Sequence, residues 1–355
     1  MSTHVVIIAG GAGTRFWPAG RRARPKQLLP VASQKTLLAD TVDRCAGLAP
    51  PEQTYVVTNE VQREATVKEC STLPEGNILA EPHMRNTAAA IGLAAIEVVR
   101  RDPDAVMVVL PADHVIRPRE RFVSIFSAAA ERAAATDVLL TVGIEPTGPA
   151  TGYGYIEAGD VAAEVAGHRA HTVKSFKEKP DAATAAGFLK AGGYFWNAGT
   201  FVWKASAILS AFEEHLPGHH AILQKIDAAG GGSPDPDLYA TFENVPIDIG
   251  VMERAQNVEV IPADFEWDDA GSWLALSRLN EKDAQGNVVR GDHLGLDTHN
   301  CIVVSGEDHL IATIGLDDFV IVHTKDATLI CPKGRAEEVR DMVARLKEHG
   351  RQDLT

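Results

Sequence analysis

An apolar run, Val5–Ala9, passes with no spacer into Gly10-Gly11-Ala12-Gly13. Five apolar residues are the length of a buried strand, and glycines placed directly after it permit a tight turn. A chain that begins this way is committed to a strand feeding a close turn and then a helix, the opening of a β-α-β unit. The first two-thirds repeats that grammar. Thr54–Thr58 and Val138–Ile144 read as strands, Ile78–Leu79 opens a shorter one, and Ala105–Leu110 is apolar throughout, as a central strand covered on both faces should be. Asn86–Arg100 and Arg119–Ala135 carry helical spacing. The class predicted is α/β, a Rossmann-like mixed, mostly parallel sheet flanked by helices.

The glycines of the loop let the backbone approach a phosphate and present N–H groups to it. A Walker loop would close on Gly-Lys-Ser/Thr, but Thr14-Arg15 follows Gly13. A dinucleotide fingerprint needs a third glycine where Phe16 stands. Taken alone, the triplet reads equally as a ligand-free turn. Its neighbours tilt the balance. Arg15, Arg21, Arg22, Arg24 and Lys26 form a basic island in a chain of net charge −14, and basic residues around a glycine loop fit a triphosphate.

Gly10-Gly-x-Gly-Thr-Arg-Phe-Trp-Pro18 followed by Pro25-Lys-Gln-Leu28 resembles the signature of the mannose-1-phosphate guanylyltransferases. Further segments match in order: Glu81-Pro-x-x-Arg-Asn-Thr87, Leu110-Pro-Ala-Asp-His114, Thr151-Gly-Tyr-Gly-Tyr155 and Phe176-x-Glu-Lys-Pro180. Tyr194-Phe-Trp-Asn-Ala-Gly199, Ile247-Asp248 and Trp267-x-Asp-x-Gly-Ser-Trp273 complete the set, so the resemblance spans roughly residues 5–275. Departures at Ala19-Gly20, Ala89 and Ala198 are small-residue changes in loops. The resemblance implies a transfer of GMP from GTP to mannose 1-phosphate that yields GDP-mannose and pyrophosphate. It implies Arg15 and Lys26 as catalytic residues, with Gly10, Gly11, Gly13 and Thr14 at the nucleotide.

Asp113 lies just past the Ala105–Leu110 strand, at the edge where open α/β sheets gather ligands. Mg²⁺ takes one or two protein carboxylates and leaves the rest to substrate oxygens, so Asp113 fits a metal ligand. On its own it reads slightly better as a turn or N-cap aspartate. Asp269 aligns with the family's second metal aspartate. Its alternative is to cap a helix beginning near Ser272. Gly152, in Thr151-Gly-Tyr-Gly-Tyr155, sits where a flat sugar must approach the backbone. The family implies Glu178 for sugar hydroxyls, Lys179 for the sugar phosphate and Asn197 for a ring hydroxyl, whereas Glu178-Lys179 alone reads as a surface pair. Guanine offers N–H donors that a carboxylate can accept. Glu81 is the candidate reader, with Arg85 and Asn86 supporting the nucleotide.

The four cysteines, Cys45, Cys70, Cys301 and Cys331, form no CxxC pair, which speaks against zinc and disulfide frameworks. His219-His220 reads as a solvated loop pair. The negative charge speaks against nucleic acid as partner. The longest apolar runs are too short for a membrane span, and no signal-peptide order is present, so a cytoplasmic protein is expected. A polar stretch at 281–287 divides a catalytic domain, 1–280, from a β-rich domain, 281–355. There, four short strands follow at about ten-residue intervals, which suits a small β-solenoid or a sandwich, and the resemblance implies a β-helix. The closing helix should bury Ala336, Val339, Met342, Val343 and Leu346. The sequence leaves the oligomeric state open, a homodimer included. Two alternatives stand beside the main reading: another hexose 1-phosphate or nucleotide, and a non-catalytic homologue that binds the nucleotide sugar.

Overall fold

The computed structural model describes residues 2–11, 13–306 and 308–355. Its largest element is a nine-stranded sheet. The strands are β1 (Thr3–Ile8), β2 (Thr54–Asn59), β3 (Ile78–Glu81), β4 (Val106–Pro111), β6 (Leu139–Ile144), β7 (Tyr155–Val165), β8 (His168–Lys177), β9 (Tyr194–Lys204) and β10 (Val258–Ala263). They lie in the order β3-β2-β1-β4-β9-β6-β10-β8-β7. Only β8 and β9 run against the others, so the sheet is mixed and mostly parallel. β5 (Val115–Arg117) and β11 (Glu266–Asp268) form a small antiparallel pair beyond its carboxyl edge.

Two apolar layers cover the sheet. On one face α3 (Asn86–Arg101), α6 (Ala205–His215) and α7 (Pro217–Ala228) pack through Leu93, Phe212 and Leu223. On the other, α1 (Leu37–Cys45) and α4 (Arg119–Ala135) pack through Leu38, Phe122 and Phe126. This double cover is why β4 is apolar along its length instead of alternating. Shorter helices are α2 (Arg63–Glu69), α5 (Ala182–Ala191), α8 (Pro236–Ala240) and α9 (Ala275–Leu279).

Beyond residue 287 the chain coils. β12 (Val288–Arg290), β14 (Ile302–Val304) and β16 (Phe319–His323) stack in parallel, Val288 on Ile302 on Val320, and β17 (Thr328–Pro332) closes the sheet antiparallel. β13 (Asp292–His299) and β15 (Leu310–Asp317) form a second parallel ladder, so successive turns of chain stack as a short β-helix. A third core cluster joins this part to the glycine loop. Phe16, Trp17 and Trp273 meet Ile302, Val320 and the first turns of α10 (Val339–Glu348).

Three local expectations are corrected. His219 is no loop residue. It lies in α7, buried against Phe212 and Phe242, where the apolar side of its ring is worth more than solvent. Met342 is exposed, while Val339 and Val343 supply the buried face of the final helix and Ala336 is buried in the short helical turn before it. Asp269 caps no helix, because α9 begins only at Ala275 and the Ala270 N–H goes to Asp268.

Candidate active site

The glycine loop leaves β1 and folds straight onto the segment that carries Lys26. Gly13 is left-handed, with φ 56°, and a Cβ there would overlap the Lys26 backbone nitrogen. Only glycine allows both the turn and the approach. The loop is tied from below by Gln27, whose amide donates to the Ala9 carbonyl at 2.6 Å and to Gln62 at 3.1 Å. Lys26 is thereby buried to 9 % exposure with its ammonium 2.8 Å from Asp113 and 2.6 Å from the Asp269 carbonyl. Burial pushes the Asp113 carboxyl up, but the charges of Lys26 and His114 and the hydrogen bond from Lys26 together outweigh it and hold the group below its ordinary range.

Two cavities open along the carboxyl edge of the sheet. The larger, about 440 Å³, is lined by Gly10, Gly11, Glu81, Arg85, Asn86 and Asp113. It faces the N-terminal end of the sixteen-residue α3, whose dipole favours anions, although the Thr87 and Ala88 amides are bonded to the Asn86 side chain and the Val245 carbonyl. Glu81, the last residue of β3, is buried and accepts a 2.7 Å hydrogen bond from the Tyr239 hydroxyl. Burial pushes its carboxyl up to about 7, against the stabilising bond from Tyr239. Arg85 donates to the Ala240 carbonyl at 2.7 Å, and its Nε has no partner.

The smaller cavity, about 250 Å³, is lined by Gly152, Gly154, Glu178, Lys179, Asn197, Asp248 and Asp269. Gly154 is required here, because a Cβ would come to 2.5 Å from a Glu178 carboxylate oxygen. Asn197 is fixed on both sides. Its Nδ2 donates to Asp248 at 2.7 Å, and its Oδ1 accepts from the Gly199 N–H at 3.0 Å. Burial, reinforced by the charge of Glu178, pushes the Asp248 carboxyl up to about 6. Tyr153 donates to Asp269 at 3.1 Å, and Asp268 is occupied elsewhere, paired with Arg278 at 2.6 Å.

Ile8 and Thr87 line both cavities, Asp113 belongs to the first and Asp269 to the second. Lys26 touches both aspartate residues and so sits at their junction. Positive φ values at Asn86 (66°), Lys179 (44°) and Ala270 (44°) cluster around this junction, conformations that L residues hold only where the surroundings enforce them. Among the described residues there is no group of three or more His, Cys, Asp or Glu side chains fit to hold a metal. Two carboxylates and an oxygen-only donor set nevertheless suit Mg²⁺, whose remaining ligands are substrate oxygens. The ammonium of Lys26 is a cation already placed on the Asp113 carboxylate and the Asp269 main-chain carbonyl.

Most sequence-derived candidates therefore converge, but Gly13, Thr14, Arg15 and Lys26 do not line either cavity, Lys26 reaching the site only through Asp113 and Asp269. Arg15 turns away to Glu337 at 2.9 Å, with its side chain 44 % exposed. Gly13 and Thr14 shape the loop without lining either cavity. Lys179 lines the smaller cavity but pairs with Glu178 at 2.5 Å. Sequence reasoning gives no role to Tyr239, Asn244, His114 or Tyr153. The last two stand inside recognised segments, whereas Tyr239 and Asn244 carry no local signal at all.

Residues 4–286 match the family model of nucleotidyl transferases, and residues 291–346 match that of the mannose-phosphate isomerase/GMP-like β-helix domain. The chain belongs to the nucleotidyl transferase family. Within it, the xanthan biosynthesis protein XanB of Xanthomonas campestris pv. campestris is 40% identical, across 99% of this chain and 74% of its own length. Mannose-1-phosphate guanylyltransferase of Escherichia coli is 38% identical, across 98% of this chain and 74% of its own. A solved structure from Thermus thermophilus, described as mannose-1-phosphate geranyltransferase, superposes with a TM-score of 0.88 at 35% identity, covering 98% of this chain and 100% of that one. This nucleotidyl transferase is accordingly an enzyme of the mannose-1-phosphate guanylyltransferase group, and its sheet-plus-β-helix architecture is that of the group. Among its described residues no helix is long and apolar enough to cross a membrane.

Proposed function

We propose that this enzyme transfers GMP from GTP to α-D-mannose 1-phosphate, giving GDP-mannose and pyrophosphate, in the cytoplasm. The observation that carries the reading is the junction, where Lys26 touches both Asp113 and Asp269 between a larger cavity and a smaller one. The larger cavity takes the nucleotide, with Glu81 accepting from guanine, Arg85 and Asn86 beside it, and the loop amides of Gly10, Gly11, Gly13 and Thr14 on the phosphates. The smaller takes the sugar phosphate, with Gly152 against the ring, Glu178 and Asn197 on hydroxyls, and Lys179 on the phosphate. The catalytic part is residues 1–280, with residues 281–355 as a β-rich domain behind the loop.

A phosphate oxygen of the sugar attacks the α-phosphorus in line and pyrophosphate leaves. The nucleophile is already an anion, so no base and no covalent intermediate is required, and the protein's task is placement and charge neutralisation. Asp113 and Asp269 would hold a Mg²⁺ ion, which when bound would supply positive charge for the phosphates. Lys26 adds an ammonium to the oxygens of the α-phosphate. Arg15 leaves Glu337 for the β- and γ-phosphates. The exchange favours the nucleotide, since an exposed pair contributes about 0–1 kcal/mol and a phosphate offers bidentate, charge-assisted bonds. Pyrophosphate release measured over a matrix of nucleoside triphosphates and sugar 1-phosphates tests the assignment. GTP with mannose 1-phosphate should turn over fastest, and a faster rival pair would replace it.

A further inference from the structure

Behind Asp113, between α1, β5 and the start of α4, lies a third cavity of about 300 Å³. At about 30 Å³ per water in the liquid, that is room for roughly ten waters or a small organic anion. It is walled by three arginines from three elements: Arg44 of α1, Arg117 at the end of β5 and Arg119 opening α4. Arg117 and Arg119 are exposed, whereas Arg44 is only 7 % exposed.

Arg44 has an unusual balance of partners. Its Nη2 donates to the Thr41 hydroxyl at 3.0 Å and the His114 carbonyl at 3.2 Å, and its Nε is buried with no partner. Its guanidinium stacks 5.3 Å over the Phe122 ring. Among the described residues no carboxylate pairs with it. The two acids that line the cavity are engaged with other groups, Asp43 with Lys35 and Asp40 with the Ser33 hydroxyl. Arg44 is thus a buried cation with no carboxylate bonded to it, the charge of nearby Asp40 only partly offsetting burial, and protein interiors avoid such an arrangement because it is costly. Arg117 and Arg119 form no ion pair among the described residues either, and Arg117 donates to the Ala32 carbonyl. Three guanidiniums thus converge on one cavity with no carboxylate paired to any of them.

We propose that this cavity is an effector site for a small phosphate-bearing anion, separate from the substrate cavities and coupled to them through His114. Arginine forks match phosphate oxygens in pairs, which a water-filled pocket does not exploit. The coupling is structural. His114 lines both this cavity and the sugar cavity, its carbonyl receives Arg44, and its Nδ1 accepts from the Trp267 indole at 3.2 Å. It directly follows Asp113. An anion that draws Arg44 toward itself shifts the residue next to Asp113, and so changes turnover without touching either substrate.

The inference does not depend on which sugar or base the enzyme uses. The test uses the full chain at constant ionic strength, with inorganic phosphate and glycerol 3-phosphate as separate probes, read by calorimetric titration and by melting midpoint. Arg44 variants risk misfolding, so the exposed pair is changed together, Arg117→Gln with Arg119→Gln. Wild type should bind at least one probe saturably, and the double variant should bind it at least tenfold more weakly while keeping its basal turnover. Lys26→Ala, which removes the active-site cation, should bind within threefold of wild type. Binding of inorganic phosphate alone or of the ester alone identifies the source, and either supports the site. Equal binding by the double variant, loss of binding in Lys26→Ala, or no saturable binding by wild type overturns it.

Discussion

The two cavities proposed for the substrates share Ile8 and Thr87 and are built by opposite means. The larger one is framed by a glycine loop, a strand end and a helix N-terminus, with two carboxylates, Glu81 held by one tyrosine and Asp113 held by Lys26. The smaller is mostly side chain, with Glu178, Asp248 and Asp269 crowded together and Asn197 braced between Asp248 and Gly199. A backbone cradle with one buried reader discriminates sharply, because a wrong base leaves that reader unpaired. A network of several acceptors tolerates the loss of one. The nucleotide choice should therefore be stricter than the sugar choice.

The junction belongs to both cavities, and breaking it should erase the distinction. Lys26→Ala should lower kcat by about 10²–10³-fold, the usual cost of losing one donor to a developing oxyanion. The loss should be similar with every substrate pair, and circular dichroism should show an intact fold. A loss of only a few-fold would remove Lys26 from the mechanism. Asp113→Asn and Asp269→Asn should each lose most activity, and the double variant little more, because groups that act as one unit are not additive. Fully additive losses would mean two separate roles.

Glu81 tests the sharper cavity alone. Its carboxyl is pushed up to about 7, so it is ionised above that pH and protonated below it. Only the carboxylate accepts two N–H donors. The preference for GTP over UTP should therefore shrink as pH falls from 8 to 6, by roughly tenfold if ionisation alone governs it. Glu81→Gln should abolish that pH dependence together with much of the base preference. If it slows every nucleotide equally, Glu81 is not the reader.

Asn197→Ala tests the more tolerant cavity. It should reduce the preference for mannose 1-phosphate over glucose 1-phosphate by a smaller factor, on the order of tenfold for one lost hydrogen-bonding group, and leave the base preference unchanged. The smallest effect is expected at Glu337→Gln. The Arg15–Glu337 pair is exposed at both ends, so the melting midpoint should barely move, while KM for GTP should fall slightly as Arg15 is released. A raised KM would show that Glu337 presents Arg15 to the nucleotide instead of withholding it.

The larger cavity is also the more legible in sequence. Val5–Ala9 running into glycines, and the unbroken apolar stretch of β4 ending near Asp113, follow from local rules of burial and turn geometry. What local rules cannot supply is the partner of a buried group. Tyr239 meets Glu81 across 158 residues, with no pattern around it to advertise the contact. His219 reads as solvated beside His220 because neighbours in sequence say nothing of the Phe242 ring that covers it. Arg15 reads as a phosphate ligand, and its rest position on Glu337 is set by the packing of the β-rich domain. Asp268 and Asp269 are adjacent, and no local pattern carries the difference in their surroundings, Arg278 for one and Tyr153 for the other.

The glycine loop has one more dependence. The Trp17 indole donates to the Leu354 carbonyl at 2.8 Å, Arg21 donates to the same oxygen, and the Trp273 indole donates to the Trp17 carbonyl at 3.0 Å. Trp17 and Leu354 are separated by 337 residues. Contacts of such long reach close late in folding, and a ribosome makes residue 17 far earlier than residue 354, at roughly 5–20 residues per second. During synthesis the sheet can assemble around β1 for tens of seconds while the loop still lacks its last anchor. A segment made early is thus among the last to take its working shape, and a nascent chain can be well folded in its core before it is able to turn over.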